Sequence, residues 1–247
     1  MVVRQRHKDV FFHIHGSDVI VKMIDIAFYS CYLGPDSSWS NQVFPPPSKD
    51  HSCYYFTNNV RTGELAKAFG WIVVWDYQPI STDEIQNAYN TKLLRCCPHL
   101  FEPLTKHAYL CYIDSKVWIT NLNEVLSLAN RLTDDMPIVL SGHQCSHTTV
   151  WGEFIEAVKQ PRYAAHRDRY RRYIDTMLRL GYQDIPLRHS TGFKILKQCA
   201  LARRIGESWY SHIGLSGIEC QISWQFVCQD FPGAILDIPY KACWNAL

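Results

Sequence analysis

The sequence predicts an α/β protein built on a mainly parallel, doubly wound sheet, followed by a more helical half. Three observations support this prediction. Short runs of β-branched and aromatic residues recur between residues 24 and 141. Helical segments lie between these runs, and two of the helices begin at residues that favour helix starts. Strands that alternate with helices have room to cross over and run in one direction, so they form a parallel sheet.

The strands of the first half are apolar runs that end at turn-forming residues. The five runs are Ile24–Cys31, Cys53–Thr57, Gly70–Tyr77, Ala108–Ile113 and Pro137–Ser141. Gly34-Pro35 ends the first run, and three consecutive prolines at 45–47 place a loop before the second. Residues 1–23 precede this pattern as an N-terminal lead-in, for which a hairpin is one interpretation.

Two helices have clear start signals, because an acid follows a capping residue at the right distance. These pairs are Ser81 with Glu84 and Asn121 with Glu124. After residue 141 the pattern predicts helices at 151–159, at 162–180 and in two segments toward Phe226, with a short strand near Leu187. We therefore predict one continuous domain, with a nucleotide-binding half at 24–141 and a substrate-binding half at 142–247.

The composition argues against several classes of protein. The 25 Lys and Arg residues against 23 Asp and Glu leave a net charge of +2, which is too small to hold nucleic acid by bulk electrostatics. No run reaches the ~18 to 20 apolar residues of a transmembrane helix, and the first residues do not resemble a signal peptide. None of the 10 Cys forms a C-x-x-C pair. We expect buried, reduced thiols and a soluble, cytoplasmic protein.

The most informative segment follows the fourth predicted strand, where Asp114 is succeeded by Ser115 and Lys116. Ligands of open α/β sheets bind beyond the carboxyl ends of the strands. An acid at that place can hold a metal–diphosphate or a sugar hydroxyl, although Asp after a strand is also a common turn former. His143 lies near the join of the two halves, and we interpret its loop as lining a pocket.

An arginine-rich segment at 162–179 has three interpretations. With its interleaved tyrosines it resembles a nucleic-acid surface, but it also fits a solvated helix face or a contact with an anionic acceptor or membrane. An apolar stripe at helical spacing favours the solvated face. We expect the outward residues to be Arg167, Arg171 and Arg172, and the inward residues to be Tyr170, Ile174, Met177 and Leu178.

Several segments between residues 24 and 229 together resemble a glycosyltransferase-like family of plants and microbes, whose members include plant proteins linked to mucilage and turgor regulation. Ile113 to Lys116 is similar to the family's W-I-D-S/G-K/N motif, and Lys92 with residues 98–101 is similar to its K…P-H-x-x-F element. The other matching elements are His143, Trp151-Gly152-Glu153, Arg188-His189, Trp209 and Glu219-Cys220-Gln221.

The resemblance implies a GT-A-like fold and a transferase that moves a sugar from a nucleotide-sugar donor to a glycan or another hydroxyl acceptor. It implies donor contacts from Lys92, Asp114, Ser115, Lys116 and His189. It implies acceptor contacts from His143, Trp151, Glu153, Arg188, Trp209 and Gln221. Asp114 and Glu219 are then the catalytic residues, and Glu219 is the base that accepts the proton of the acceptor hydroxyl.

Two departures from the family pattern matter. The family has Asp directly before Gln in its last motif, whereas Glu219 stands two residues before Gln221. Glu219 is therefore equally well explained as the acid at a helix start. A GT-A donor site usually has D-x-D, whereas the third position here is Lys116. Either a divalent ion, Mn²⁺ or Mg²⁺, binds to Asp114 with His189, or Lys116 itself neutralises the diphosphate.

Two other classes of function remain as alternatives. One is a nucleic-acid-binding or processing protein that uses the arginine-rich segment, and the other is a non-catalytic carbohydrate-binding protein. We expect no nucleic-acid partner. We also expect Asp114→Asn to abolish transfer and to leave the fold nearly intact, because a strand-end acid contributes little to a core.

Overall fold

A computed structural model describes residues 10–14, 17–21, 24–37, 40–75, 80–81, 83–142, 149–186 and 189–247. The lead-in contains an antiparallel hairpin of β1 (Val10–Ile14) and β2 (Ser17–Val21). The other strands are β3 (Ile26–Tyr32), β4 (Ser52–Thr57), β5 (Ile72–Trp75), β6 (Tyr109–Ile113), β7 (Val117–Ile119), β8 (Ile138–Gly142), β9 (His189–Lys197), β10 (Ile235–Ile238) and β11 (Trp244–Ala246).

The helices of the described residues flank this sheet. They are α1 (Val60–Phe69), α2 (Glu84–Cys96), α3 (Glu102–Thr105), α4 (Leu122–Asn130), α5 (Val150–Ala157), α6 (Pro161–Ala164), α7 (Arg167–Arg179), α8 (Ala200–Ser216) and α9 (Cys220–Val227). Short 3-10 turns lie at Pro98–Leu100 and Cys228–Asp230. In this part of the chain no helix has both the length and the apolar character needed to cross a bilayer.

Among the described residues, seven strands form the central sheet in the order β10-β8-β9-β6-β3-β4-β5. All neighbours pair in parallel except β9, which is antiparallel to both β6 and β8. The predicted α/β class with a mainly parallel sheet is therefore confirmed. The predicted join near residue 141 falls inside β8, and both halves of the chain contribute strands to the same sheet.

The structure corrects two sequence predictions. The short strand near Leu187 is the nine-residue β9 in the middle of the sheet. Its first residues are polar, from His189 to Gly192, so they lack the apolar pattern of a buried strand. Helix α1 was not predicted, because Gly63 interrupts its pattern. A side chain at Gly63 would overlap the indole ring of Trp75, which explains the glycine.

Helix α2 begins later than predicted. Asp83 is the N-cap and its Oδ1 accepts from the amide of Ile85 at 2.8 Å, whereas the Ser81 hydroxyl accepts from the amide of Asp83. The second predicted start is confirmed, since the Asn121 side chain caps α4 through the amide of Glu124 at 3.1 Å. The 13 residues of α2 end in a buried turn beside the carboxyl ends of the strands.

The sheet is buried on both faces. One hydrophobic cluster joins it to α2, α8 and α9, and a second joins it to α1, α4 and the β7–β11 pair. A third cluster packs α5, α7 and α9 together. Helix α2 contacts α8 directly, so the position of its last turn depends on the packing of α8.

Helix α7 follows its predicted orientation. The predicted outward arginines are exposed, and Tyr170, Ile174 and Met177 are buried, with Leu178 half-buried in the same cluster. Arg169 donates from Nε to the main-chain oxygen of Leu215 at 3.1 Å, so it joins α7 to the end of α8. The apolar face of α7 thus accounts for its place in the fold without a polyanion.

We expect Gly206→Ala to lower the free energy of unfolding by about 3 kcal/mol, the upper part of the range for overpacking a core. A β-carbon at Gly206 would overlap the main-chain oxygen of Cys96, and a backbone atom cannot move aside without shifting α2. Gly214→Ala on the same helix is the control, because nothing lies within 4 Å of the added carbon. We expect that variant to gain about 0.5–1 kcal/mol from helix propensity. Urea unfolding of both proteins tests the pair, and equal stabilities would contradict the close contact.

Candidate functional site

Asp114 lies directly after the last residue of β6, as predicted, where the carboxyl ends of the parallel strands β3, β4 and β6 meet. Its amide donates to the Gly192 oxygen of β9 at 2.8 Å, and the amide of Ser115 donates to its Oδ1 at 2.8 Å. Because neighbouring strands hold its backbone, the Asp114 carboxylate is presented in one place at the edge of the sheet.

Arg95 is the main partner of this carboxylate. Its Nη2 donates to Asp114 Oδ2 at 2.8 Å and to the Tyr112 hydroxyl at 2.9 Å, and its Nη1 lies 3.3 Å from the Thr191 hydroxyl. The Arg95 side chain is 4% exposed, and that of Asp114 is 25% exposed. A buried guanidinium needs such a partner, because an unpaired charge in a protein interior is costly.

Cys220 connects Arg95 to Lys92 at the start of α9. Its Sγ lies 3.2 Å from Lys92 Nζ, 3.3 Å from Arg95 Nη1 and 3.4 Å from the Thr191 hydroxyl. Lys92 and Arg95 are three residues apart on α2 and therefore share a face of that helix. The fold thus brings two cations from α2 to the first residue of α9.

The charges around Asp114 determine its protonation state. Burial alone would raise the pKa of Asp114, but the nearby cations of Arg95, Lys92 and Lys116, together with the amide of Ser115, outweigh it and hold that pKa below its ordinary value. Asp114 is therefore a carboxylate at neutral pH. It acts as a counter-ion for the cations, and it has no proton to give.

Lys194 lies on β9 next to the last turn of α2, and it is 3% exposed. Its Nζ donates to the main-chain oxygen of Arg95 at 2.5 Å and faces the ring of Trp209 at 5.7 Å. Burial lowers the pKa of Lys194 to about 8. Its bond to the end of α2 makes Lys194 a positioning residue for Arg95.

His189 uses both of its ring nitrogens within the protein. Nδ1 lies 2.9 Å from Trp224 Nε1, which donates to it, and Nε2 is hydrogen-bonded to Asp237 of β10. These two partners set the tautomer, with the proton on Nε2. The ring is buried against Trp224 and leaves neither nitrogen for another ligand.

The donor set around Asp114 does not fit a divalent cation. One carboxylate oxygen accepts from Arg95 and the other from the amide of Ser115, while His189 is occupied by Trp224 and Asp237. The position two residues after Asp114 holds a cation, Lys116, where a second carboxylate would be needed. Within the described ranges no three His, Cys, Asp or Glu side chains form a cluster that could hold a metal.

Glu219 is the N-cap of α9. Its Oε1 accepts from the amide of Gln221 at 3.2 Å, and its own amide donates to the Tyr170 hydroxyl at 3.3 Å. The residue is 9% exposed. The Gln221 Nε2 is buried without a hydrogen-bond partner among the described residues, so it is a donor that a ligand could satisfy. Both residues begin α9, as predicted.

The other predicted acceptor residues that the structure describes lie on α5 or in the core. Trp151 and Glu153 belong to α5, where Trp151 packs edge-on against Phe154 and Glu153 is buried. Trp209 is 2% exposed, donates to the Cys220 oxygen at 3.1 Å and packs on Trp224. In this arrangement Trp209 supports the start of α9 and has no surface for a sugar. His143 and Arg188 lie outside the described residues.

A small cleft beside Asp114 and Ser115 has aromatic walls. They include Phe44 and Trp118, whose ring centroids are 5.0 Å apart, together with Tyr55. Tyr55 is buried, and the half-buried rings of Phe44 and Trp118 pack on each other. The cleft therefore places an aromatic surface next to the cluster of charges.

The architecture described above is a GT-A-like fold. Mouse xyloside xylosyltransferase 1, in its apo form, is similar with a TM-score of 0.52 and 10% identity, over 87% of this chain and 85% of that one. This similarity shows the fold. No family model matches the chain, and a search of curated proteins found no match.

Two further solved structures are similar at lower TM-scores. A glycosyltransferase involved in the glycosylation of the major capsid of PBCV-1 has a TM-score of 0.46 and 10% identity, over 90% of this chain and 92% of that one. A CMP:2-keto-3-deoxy-manno-octonic acid synthetase complexed with CTP has a TM-score of 0.43 and 11% identity, over 87% of this chain and 90% of that one.

Proposed function

We propose that this protein is a glycosyltransferase that moves a sugar from a nucleotide-sugar donor to an acceptor hydroxyl. The observation that carries the proposal is the ionised Asp114 with its cations at the carboxyl edge of a GT-A-like sheet. The plant mucilage-type resemblance and the xylosyltransferase fold both support this class of reaction.

In the proposed reaction the acceptor oxygen forms a bond to the anomeric carbon of the donor sugar. The bond from that carbon to the diphosphate breaks, and its electron pair stays on the diphosphate. Lys92 and Lys116 stabilise the negative charge that develops there. Glu219 accepts the proton of the acceptor hydroxyl.

A panel of nucleotide sugars tests the proposal. We expect one nucleotide class to raise the melting temperature, because a ligand that binds only the folded state stabilises it. We also expect slow release of the nucleoside diphosphate from that donor in the absence of an acceptor. A panel that gives neither stabilisation nor release would contradict the proposal.

We expect Glu219→Gln to lower kcat about 100-fold or more while donor affinity changes little. The amide keeps an oxygen for the cap to Gln221 but cannot accept a proton near neutral pH, so the helix start is preserved. The measurement is steady-state kinetics once a donor and an acceptor are known. A wild-type kcat would leave Glu219 with its capping role alone. Glu219→Ala is the comparison for stability, with about 1 kcal/mol lost through the missing cap.

The positions of Lys194 and Lys197 test whether the arginines of α7 belong to a larger basic surface for nucleic acid. A groove that joined the arginines of α7 to Lys194 and Lys197 would have supported it. Lys194 is buried, however, and Lys197 pairs with Asp134 at 2.8 Å. The exposed arginines of α7 therefore have no such continuation among the described residues, and the expectation of no nucleic-acid partner stays a prediction.

A further inference from the structure

We infer that two protein ammonium groups, those of Lys92 and Lys116, hold the donor diphosphate in place of a divalent cation. This inference rests on the proposed function and specifies how its donor site works. Their combined charge of two equals that of one Mn²⁺ or Mg²⁺ ion.

The charge balance of the site favours an anion. Three cations, Lys92, Arg95 and Lys116, act on the single carboxylate of Asp114. Arg95 takes that carboxylate at 2.8 Å, and neither lysine forms an ion pair among the described residues. The polar neighbour of Lys92 is the Cys220 thiol, which is a weak acceptor. With the carboxylate of Glu219 at the start of α9 also counted, three cations face two carboxylates. The site therefore still carries excess positive charge, which would attract a diphosphate.

Both carboxylate oxygens of Asp114 already accept hydrogen bonds from the protein. Arg95 occupies Oδ2 from a buried position, and the turn amide of Ser115 occupies Oδ1. A divalent ion on Asp114 would have to share this carboxylate with the buried guanidinium of Arg95, and the repulsion between the two cations would oppose its binding. Asp114 in this arrangement keeps Arg95 charged and ordered, and it orients the cation cluster without touching a metal.

The two lysines approach Asp114 from different elements. Lys92 is half-buried on α2, one turn before Arg95, and the packing of α2 against α8 holds it there. Lys116 is exposed in the turn between β6 and β7, and its main-chain oxygen accepts from the amide of Leu247 at 3.1 Å. A ligand between α2 and this turn would meet an ammonium group on each side.

Binding of nucleoside diphosphates without metal is the direct test. Isothermal titration of UDP, GDP, CDP and ADP is run in excess EDTA and again with Mn²⁺ or Mg²⁺. We expect at least one diphosphate to bind in EDTA, with a Kd within about threefold of its value in the presence of metal. Lys92→Met and Lys116→Met should each weaken that binding about tenfold, the usual effect of losing one charge-assisted contact.

Controls separate this inference from the proposed function. Lys159→Met removes a lysine that pairs with Glu156 on the surface of α5, and it should leave the Kd unchanged. Lys116 is exposed, so its variant should fold even if Lys92→Met does not. Binding that appears only with Mn²⁺ or Mg²⁺, or that survives both lysine substitutions, overturns the inference and leaves the glycosyltransferase proposal standing. Absence of binding to every diphosphate under both conditions overturns both.

Discussion

Asp114→Asn should lower transfer, because Arg95 loses the carboxylate that orders it, and should also lower the free energy of unfolding by about 3 kcal/mol. The stability loss follows from Arg95, which is 4% exposed and would keep its charge without a carboxylate. Breaking one side of a buried ion pair costs about 3–5 kcal/mol, and the 25% exposure of Asp114 favours the lower end. This corrects our expectation that the substitution leaves the fold nearly intact, because the sequence did not reveal the partner in α2.

A double-mutant cycle and a surface pair provide the controls. Arg95→Met combined with Asp114→Asn should recover much of the lost stability, since no charge is then left unpaired. Asp134→Asn breaks the Lys197 pair, whose side chains are 75% and 30% exposed, and should cost less than about 1 kcal/mol. Urea unfolding of the wild type, of both single variants and the double variant of the cycle, and of Asp134→Asn measures these differences. A loss below about 1 kcal/mol for Asp114→Asn would mean that water solvates Arg95.

The free energy of unfolding should fall steeply with pH above 9. Burial keeps many thiols protonated in the folded protein, whereas they ionise when the chain unfolds. At most 4% of each of the following cysteines is exposed: Cys31, Cys53, Cys96, Cys97, Cys111 and Cys243. Burial raises the pKa of Cys53 and Cys97 from 9.0 to about 11 and that of Cys31 and Cys243 to about 12, and it raises the pKa of Cys96 and Cys111 further.

The sign of the effect follows from linkage. Between pH 9 and about 11 these thiols lose protons only when the chain unfolds, so stability present below pH 9 is lost as the pH rises. Each thiol contributes about 1.4 kcal/mol per pH unit, and six contribute roughly 8 kcal/mol. Lys194 offsets the effect of about one thiol. Because its pKa is about 8 in the folded state and 10.5 ordinarily, its contribution to stability rises with pH over this range. A typical domain has about 5–15 kcal/mol in total, so we expect unfolding within about two pH units above 9.

Urea unfolding at several pH values, with a non-thiol reductant, measures this slope. Cys111→Ala should reduce the slope by about 1.4 kcal/mol per pH unit, because one thiol no longer ionises on unfolding. Val139→Ala is the matched control in the same cluster, since it loses apolar volume without losing a titratable group. It should lower stability equally at every pH. A slope that Cys111→Ala leaves unchanged would contradict the protection of this thiol.

Local patterns predicted the first half of the fold well. The five apolar runs and the cap at Asn121 depend on neighbours within a few residues, so one sequence is sufficient to find them. Strand β9 was underestimated because its first residues face the candidate site and are polar. Helix α1 was missed because Gly63 interrupts its helical pattern. The glycine is needed there because the ring of Trp75, twelve residues away, leaves no space for a side chain. Each error arose where a tertiary contact selected the residue.

The candidate site was predictable only in part, for the same reason. Asp114 could be found from the strand that precedes it, and Glu219 from the glycines and the helix around it. Arg95 was missed, although a lone charge in the run LLRCC is a signal for a buried and paired group. Cys220 was quoted only as part of a motif, and its contact with Lys92 joins segments 128 residues apart. Long-range pairs of this kind follow from packing, and no local pattern shows them.

The antiparallel strand β9 in the middle of the sheet also affects how the chain folds while it is being synthesised. Strand β8 pairs with β9 and β10, so both of its partners lie after it in the chain. When β6 leaves the ribosome one of its edges stays open until β9 arrives, and residues 114–188 must be made first. At about 5–20 residues per second, the nascent protein exposes an unpaired central edge for roughly 4 to 15 seconds. During that interval it is most exposed to aggregation and most in need of a chaperone.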